Sequence, residues 1–323
     1  MDKNFLKTIL NRLSKMGCHE ADVFFSKSKT SSCSSRLGKI EKKEESSTNE
    51  IGIRAIINKK QSIVSTTNLE KQNVYNLTEK VVEMAKVVPE NQYCGLAESD
   101  KIKQVSKQEV QKLEICDTYE PTMSLIEKEV IKLEESALDN KEITNSEGAE
   151  IAYSKNSICL LGSNGLEIEM EKTHSDFIIA VLAGSKDSME REYDYKSKVF
   201  YNELGDFEKI GKEVSQNAIK KLNSRKLKTC KSDVIFDSKV SSSLLRNLFS
   251  ASNAQSIVKG ISFLKDKMNN KVFNDRISII DDPLMPKKLR SKISDCEGIQ
   301  SKKKFLIEKG YLKFFFNSLS SAK

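Results

Sequence analysis

Ser157-Ile158-Cys159-Leu160-Leu161-Gly162-Ser163-Asn164-Gly165-Leu166-Glu167-Ile168-Glu169-Met170 is the stretch that decides the fold class. Two strand-like pieces, Ser157 to Leu161 and Leu166 to Thr173, flank Ser163-Asn164-Gly165. An Asn-Gly pair tolerates the positive φ angles of a type I′ turn, so the segment reads as a β-hairpin. Working outward, Ala149 to Ser154 and Phe177 to Ala183 read as further strands, and an antiparallel meander fits. A helix carrying Leu125, Val130, Leu133 and Ala137 precedes the meander. Another, from about Phe207 to Leu222, closes it.

The N-terminal part has the same ingredients. Phe5, Ile9, Leu13 and Met16 stripe a helix over residues 2–16, with Asp2 as its cap and Gly17 as its stop. A strand at Ala21 to Ser26 follows. Two more lie within 30–58 around Arg36-Leu37-Gly38-Lys39-Ile40-Glu41, the second at Ile51 to Ile56, and Ser62 to Thr67 adds another. A helix from about Leu69 to Val88 ends at Pro89. Residues 90–121 read as a polar linker with a short helix near Lys107 to Lys112. Beyond 230, Val234-Ile235-Phe236 reads as a short buried strand, and the next helix gathers Val240, Leu244, Leu245, Leu248 and Phe249 on one face. Phe305 to Phe316 reads as two strands around Lys309-Gly310. Three consecutive Phe need cover on both faces, and little follows to supply it, so Phe314, Phe315 and Phe316 are expected to be under-covered. The fold class is α+β and multi-domain, with mixed or antiparallel sheets and flanking helices. Its expected regions are 1–95, 115–225 and 230–323.

Of 323 residues, 38% are hydrophobic and 31% charged, which is polar but well short of a disordered composition. The net charge is +8. Lys is spread along the chain and interleaved with Glu, as in Glu41-Lys42-Lys43-Glu44-Glu45, which is the pattern of a solvated surface. The densest basic runs, Pro286-Lys287-Lys288-Leu289-Arg290 and Ser301-Lys302-Lys303-Lys304, lack the interleaved aromatics that stack bases. Charged residues interrupt 1–16, so it is no signal peptide, and the longest apolar run, Phe177 to Ala183, is too short to span a bilayer. A cytoplasmic protein is expected. Seven Cys, with no pair at Cys-x-x-Cys spacing, argue against a disulfide framework or a zinc knuckle.

Only two His are present. His19-Glu20 opens like a His-Glu metallopeptidase motif, but Val23 and Phe24 stand where a second imidazole is needed, so His19 reads as a loop residue. His174 reads as surface or satisfied structure near a strand end. No nucleophile elbow, phosphate-binding loop or dinucleotide fingerprint occurs. Ser241-Ser242-Ser243 reads as a helix cap, which is a sufficient role for it.

A series of short segments resembles the PmbA/TldE branch of the TldD/PmbA family over essentially the whole chain. In order these are Ala21-Asp22-Val23, Arg36 to Glu41, Ile51-Gly52-Ile53-Arg54, Ile143-Thr144-Asn145-Ser146-Glu147-Gly148-Ala149 and Ser163-Asn164-Gly165. They continue through Ser188 to Tyr195, Val234 to Asp237, Asp281-Asp282-Pro283, Asp295-Cys296-Glu297-Gly298 and Leu319 to Ala322. The resemblance implies a two-component cytoplasmic metallopeptidase acting on unfolded peptides. In it the TldD branch carries a His-Glu-x-x-x-His motif and the TldE branch does not. That motif falls here on Arg246, Asn247 and Ala251. This chain is then expected to hold no catalytic residue and no metal, and zinc is expected in a TldD-like partner. Candidate residues for a peptide or partner surface are Thr144, Asn145, Ser146, Glu147, Gly148, Ser163, Asn164 and Gly165. Family members continue past Ser320-Ser321-Ala322-Lys323, so the third region is expected to be incomplete. Two rival expectations are a metallopeptidase in its own right and a nucleic-acid-binding protein.

Overall fold

Long strands with polar alternate positions set the architecture. The computed structural model describes residues 2–185 and 188–322; Met1, Lys186, Asp187 and Lys323, which fall within the three expected regions, lie outside the described residues. The chain runs through α1 (Lys3–Lys15), β1 (Glu20–Arg36), β2 (Lys39–Ile57), β3 (Lys60–Thr66) and α2 (Lys71–Val87). Then come α3 (Lys107–Lys112), α4 (Met123–Leu138), β4 (Ile143–Gly162), β5 (Glu167–Ala183), β6 (Glu190–Lys198) and α5 (Phe207–Lys220). The last part holds α6 (Ser238–Ala251), α7 (Ala254–Val258), β7 (Ile279–Asp281), β8 (Lys304–Glu308), β9 (Tyr311–Leu312) and α8 (Leu319–Ala322). The α+β, multi-domain class with antiparallel sheets and flanking helices is what the structure has. Among the described residues no helix is long and apolar enough to cross a membrane.

One sheet, ordered β3-β2-β1-β4-β5-β6, runs through both the first and the second expected regions. The link is β1, which pairs antiparallel with β2 on one side and with β4 on the other. Several strands read separately from the sequence are single long ones. The pieces at Ala149 and Ser157 both belong to β4, and those at Leu166 and Phe177 both belong to β5. Between each pair lies a polar stretch, Lys155-Asn156 in β4 and His174-Ser175-Asp176 in β5, that looked like a break. The ladder continues through it, with Lys29 opposite Lys155 and Ser154 opposite His174.

The helices explain why the apolar pattern fades mid-strand. Successive strand residues face opposite sides of a sheet. On β1, Val23 and Phe25 pack with α1 and α2, while Cys33, on the same odd-numbered face, packs with α4 and α5. On β4, Leu161 and Cys159 join the first core, and Ala149, Ile151 and Tyr153 join the second. Both helix pairs therefore cover the same face, one at each end of the long strands. The middle carries exposed Lys27 and Lys29. The opposite face has a smaller cluster of Leu160, Leu166 and Ile168 with Phe24, Ile102 and Met170 around it. The expected linker is partly packed: a capping box between Ser106 and Glu109 starts α3, and Leu113 and Ile115 are buried with Ile293.

The turns also differ in kind. The Ser163–Gly165 loop is not a type I′ turn. Gly165 is at φ 89 and its N–H donates to Gly162 O at 3.1 Å, while Asn164 keeps a negative φ. This is a three-residue hairpin loop with glycine in the left-handed position. Three other tight turns have both residues at positive φ: Leu37-Gly38 (51 and 75), Asn58-Lys59 (50 and 61) and Lys309-Gly310 (47 and 84).

The third region departs most from the sequence reading. Val234-Ile235-Phe236 is not a strand and is not buried: Ile235 is 96% exposed. No strand pairs with it among the described residues, so its apolar side chains have no ladder to join. Helix α6 forms as expected, but Val240, Leu244, Leu245 and Phe249 are exposed and only Leu248 is buried. Phe314, Phe315 and Phe316 are half-buried against Leu248, Leu264, Leu306, Ile307 and Leu312, and Phe314 and Phe316 meet edge to face at 5.0 Å.

Candidate functional site

Helix α6 carries Arg246, Asn247 and Ala251, the three positions on which the expected metal motif falls, and its geometry is well set. Asp237 caps it, its carboxylate accepting from Lys239 N at 2.8 Å. Ser241, Ser242 and Ser243 are inside the helix, so the cap is four residues earlier than the sequence suggested. Lys239 ties this end to the large sheet: its ammonium donates to Glu192 Oε1 at 3.2 Å and to Tyr193 O at 3.1 Å, and pairs with Asp194 at 3.3 Å. Lys221 also pairs with Glu192 and donates to Arg191 O at 3.1 Å. These two ammonium groups occupy outward carbonyls of β6, the sheet's edge strand, and so blunt that edge.

Arg246 and Asn247 are exposed on α6, and Ala251 is half-buried against the cluster of Leu248, Leu264, Leu306, Ile307 and Leu312. A guanidinium repels Zn²⁺, a carboxamide is no general base near neutral pH, and a methyl group has no lone pair. This donor set does not fit a zinc site. Among the described residues no three His, Cys, Asp or Glu side chains form a metal-holding group. His19 is an exposed loop residue whose carbonyl accepts from Ser163 Oγ at 2.9 Å. His174 lies in β5, with Nε2 3.8 Å from Asp176 Oδ1.

The eight candidate surface residues do not form one surface. Thr144 to Gly148 and Ser163 to Gly165 stand at opposite ends of β4, roughly 50–60 Å apart along a strand rising about 3.3 Å per residue. Several are also engaged internally. Ser146 is fully buried; its hydroxyl donates to Glu134 Oε1 at 2.6 Å and accepts from Gly148 N at 2.9 Å. Glu147 holds Arg191 through two bonds of 2.9 and 2.8 Å, and Thr144 bonds Gly184 O. Gly148, at φ 108, would put a Cβ 2.8 Å from Ser35 O, so only glycine fits there. At the other end, Ser163 Oγ accepts from Ala21 N at 3.0 Å, Asn164 Nδ2 donates to Ala97 O at 2.9 Å, and Gly165 O accepts from Gln104 at 3.3 Å. Thr144, Asn145, Glu147, Ser163 and Gly165 keep exposed surface.

Sequence reading missed Glu134, which accepts from Leu37 N, Gly38 N and Ser146 Oγ while fully buried. A signal for it existed: it sits at helical spacing on the apolar stripe of α4, four residues after Val130.

The chain matches three family models in order: PmbA/TldA metallopeptidase domain 1 over residues 21–85, the central domain over 106–222 and the C-terminal domain over 229–323. It is similar to the metalloprotease PmbA homolog of Buchnera aphidicola subsp. Baizongia pistaciae, 27% identical over 269 residues, covering 82% of this chain and 58% of that protein. A candidate modulator of DNA gyrase from Bacteroides thetaiotaomicron has the same fold, with TM-score 0.89 at 21% identity over 99% of this chain and 72% of that one. So does TldE from Thermococcus kodakarensis, with TM-score 0.80 at 20% identity over 98% and 71%. The chain spans 58% to 69% of the length of the first three curated relatives it matches.

Proposed function

Because this chain belongs to the PmbA/TldD metallopeptidase family, we propose that it is the non-catalytic partner of a TldD-like metallopeptidase subunit. The observation that carries this reading is the side-chain set at the motif positions: Arg246, Asn247 and Ala251. A catalytic zinc site needs about three protein ligands and a general base, and these three supply neither. Zinc and the attacking water then belong to the partner. This chain helps to shape a cleft for unfolded peptides in the cytoplasm, and folded proteins are excluded from that cleft. Both candidate patches keep exposed residues for a partner or peptide contact, Thr144, Asn145 and Glu147 at one end of β4 and Ser163 and Gly165 at the other.

Elemental analysis of the purified chain tests the metal part of this reading. The expected result is zinc far below one equivalent after dialysis, with no peptide hydrolysis. Stoichiometric zinc that survives dialysis and supports hydrolysis by the chain alone would make it a metallopeptidase in its own right.

A further inference from the structure

The two densest basic runs of the sequence meet in space. Residues from Pro286–Arg290 and Ser301–Lys304, with Lys172 from β5, line one cleft of about 850 Å³. Its cationic side chains are Lys172, Lys288, Arg290, Lys292, Lys302 and Lys304. Four carboxylates share the lining, and the side chains of three already have a partner. Asp282 pairs with Lys303 at 3.2 Å, and Asp295 accepts the backbone N–H of Glu297 and of Ile299, both at 2.9 Å. Glu297 accepts from Leu319 N at 3.0 Å, and Asp281 stands opposite Lys304 across the β7–β8 ladder. Among the described residues, Lys172, Lys288, Arg290, Lys292 and Lys302 have no carboxylate at ion-pair distance. Lys172 donates to Ser291 O at 3.0 Å and is half-buried; burial, reinforced by the charge of Lys292, pulls its pKa below the usual lysine value.

We propose that this cleft binds an acidic peptide segment, an extended stretch carrying several Asp or Glu side chains. The cleft has the volume of a site for a sizeable ligand, about 300–1,000 Å³, and far exceeds one small anion. Met285, Leu289 and Ile299 supply apolar contacts between the cations, which suits a peptide whose carboxylates alternate with other side chains. A nucleic-acid backbone suits it less. Phe316 is the one aromatic among the lining residues, so bases would find little to stack on. The site lies within this chain and does not depend on the partner-subunit reading.

The test is fluorescence anisotropy of the purified full chain with labelled oligoglutamate, oligoserine and oligouridine of equal length. Oligoglutamate should bind at least about tenfold more tightly than oligoserine, and its affinity should fall as salt screens the exposed cations. The pair Lys288→Glu with Lys302→Glu, one exposed residue from each run, should weaken it at least about tenfold. The exposed control pair Lys226→Glu with Lys228→Glu should change it less than about twofold. Equal binding of oligoglutamate and oligoserine overturns the proposal. So does indifference to the first pair, or an oligouridine that binds more tightly and loses its affinity with that pair.

Discussion

The carboxylate of Glu134 accepts a hydrogen bond from the backbone N–H of Leu37 at 2.9 Å, across from α4 to the turn between β1 and β2. Leu37 is held at φ 51, a left-handed conformation that is costly for a side chain with a Cβ. Glu134 also accepts from Gly38 N at 3.2 Å and from Ser146 Oγ at 2.6 Å, so one buried carboxylate fixes two strand ends to one helix. Glu134→Ala strands these donors and should cost about 3 kcal/mol of stability, with Glu134→Gln costing about half as much. Urea unfolding measures both. A loss under about 0.5 kcal/mol for the alanine variant would mean the carboxylate does not hold the turn.

The elements rich in apolar spacing were legible from the sequence, and those defined by backbone pairing were not. Stripes such as Phe5, Ile9 and Leu13, or Leu125, Val130 and Leu133, placed α1 and α4 within a residue or two. The centres of β1, β4 and β5 lie between the two helix pairs, where Lys27, Lys29 and Lys155 carry no hydrophobic signal, so one strand read as two. Val234 to Phe236 failed for the opposite reason: it has the residues of a buried strand but pairs with no strand among the described residues. At the candidate site, the residues at 246, 247 and 251 could be read directly. The bonds that engage Ser146 and Ser163 involve Glu134, on the preceding helix, and Ala21, 142 residues away in sequence.

Tyr153 is buried, and its hydroxyl has no hydrogen-bond partner among the described residues. Burial, then the nearby charges of Glu120 and Asp117, push its pKa up to about 12. Its contribution to stability is therefore present below the ordinary tyrosine value and is lost as pH rises through about 12. Tyr153→Phe removes an unsatisfied polar group and should leave stability unchanged or raise it by up to about 1 kcal/mol. Thermal unfolding checks this, and a clear loss of stability contradicts it.

Glu192 is nearly buried between Lys221 and Lys239. Burial alone would raise its pKa, but hydrogen bonds and charge from the two ammonium groups hold it below the usual glutamate value. A depressed carboxylate contributes stability above the ordinary value, and that contribution is lost as pH falls through the folded-state value. Lys239→Ala should move the Glu192 titration upward in a carboxyl NMR experiment and speed amide exchange in the first turns of α6. An unmoved titration would show that Lys221 alone sets the state of Glu192.

Ile235, Leu244, Leu245 and Phe249 give the third region an exposed apolar surface in and beside α6. Such surface on one chain marks an interface or an aggregation hazard. The purified chain should bind a hydrophobic dye and self-associate as its concentration rises. Ile235→Lys with Leu245→Lys should reduce both. Dye binding that is unchanged by the pair would place the exposed surface elsewhere.

If, as proposed, the catalytic groups belong to a TldD-like partner, peptide hydrolysis by this chain mixed with that subunit should depend on the partner's metal motif. The comparison is the same mixture in which the Glu of that motif is replaced by Gln. No hydrolysis is expected from this chain alone, metal-dependent hydrolysis from the first mixture and none from the second. Hydrolysis that persists with the replaced subunit would contradict the proposal and would place the catalytic groups in this chain.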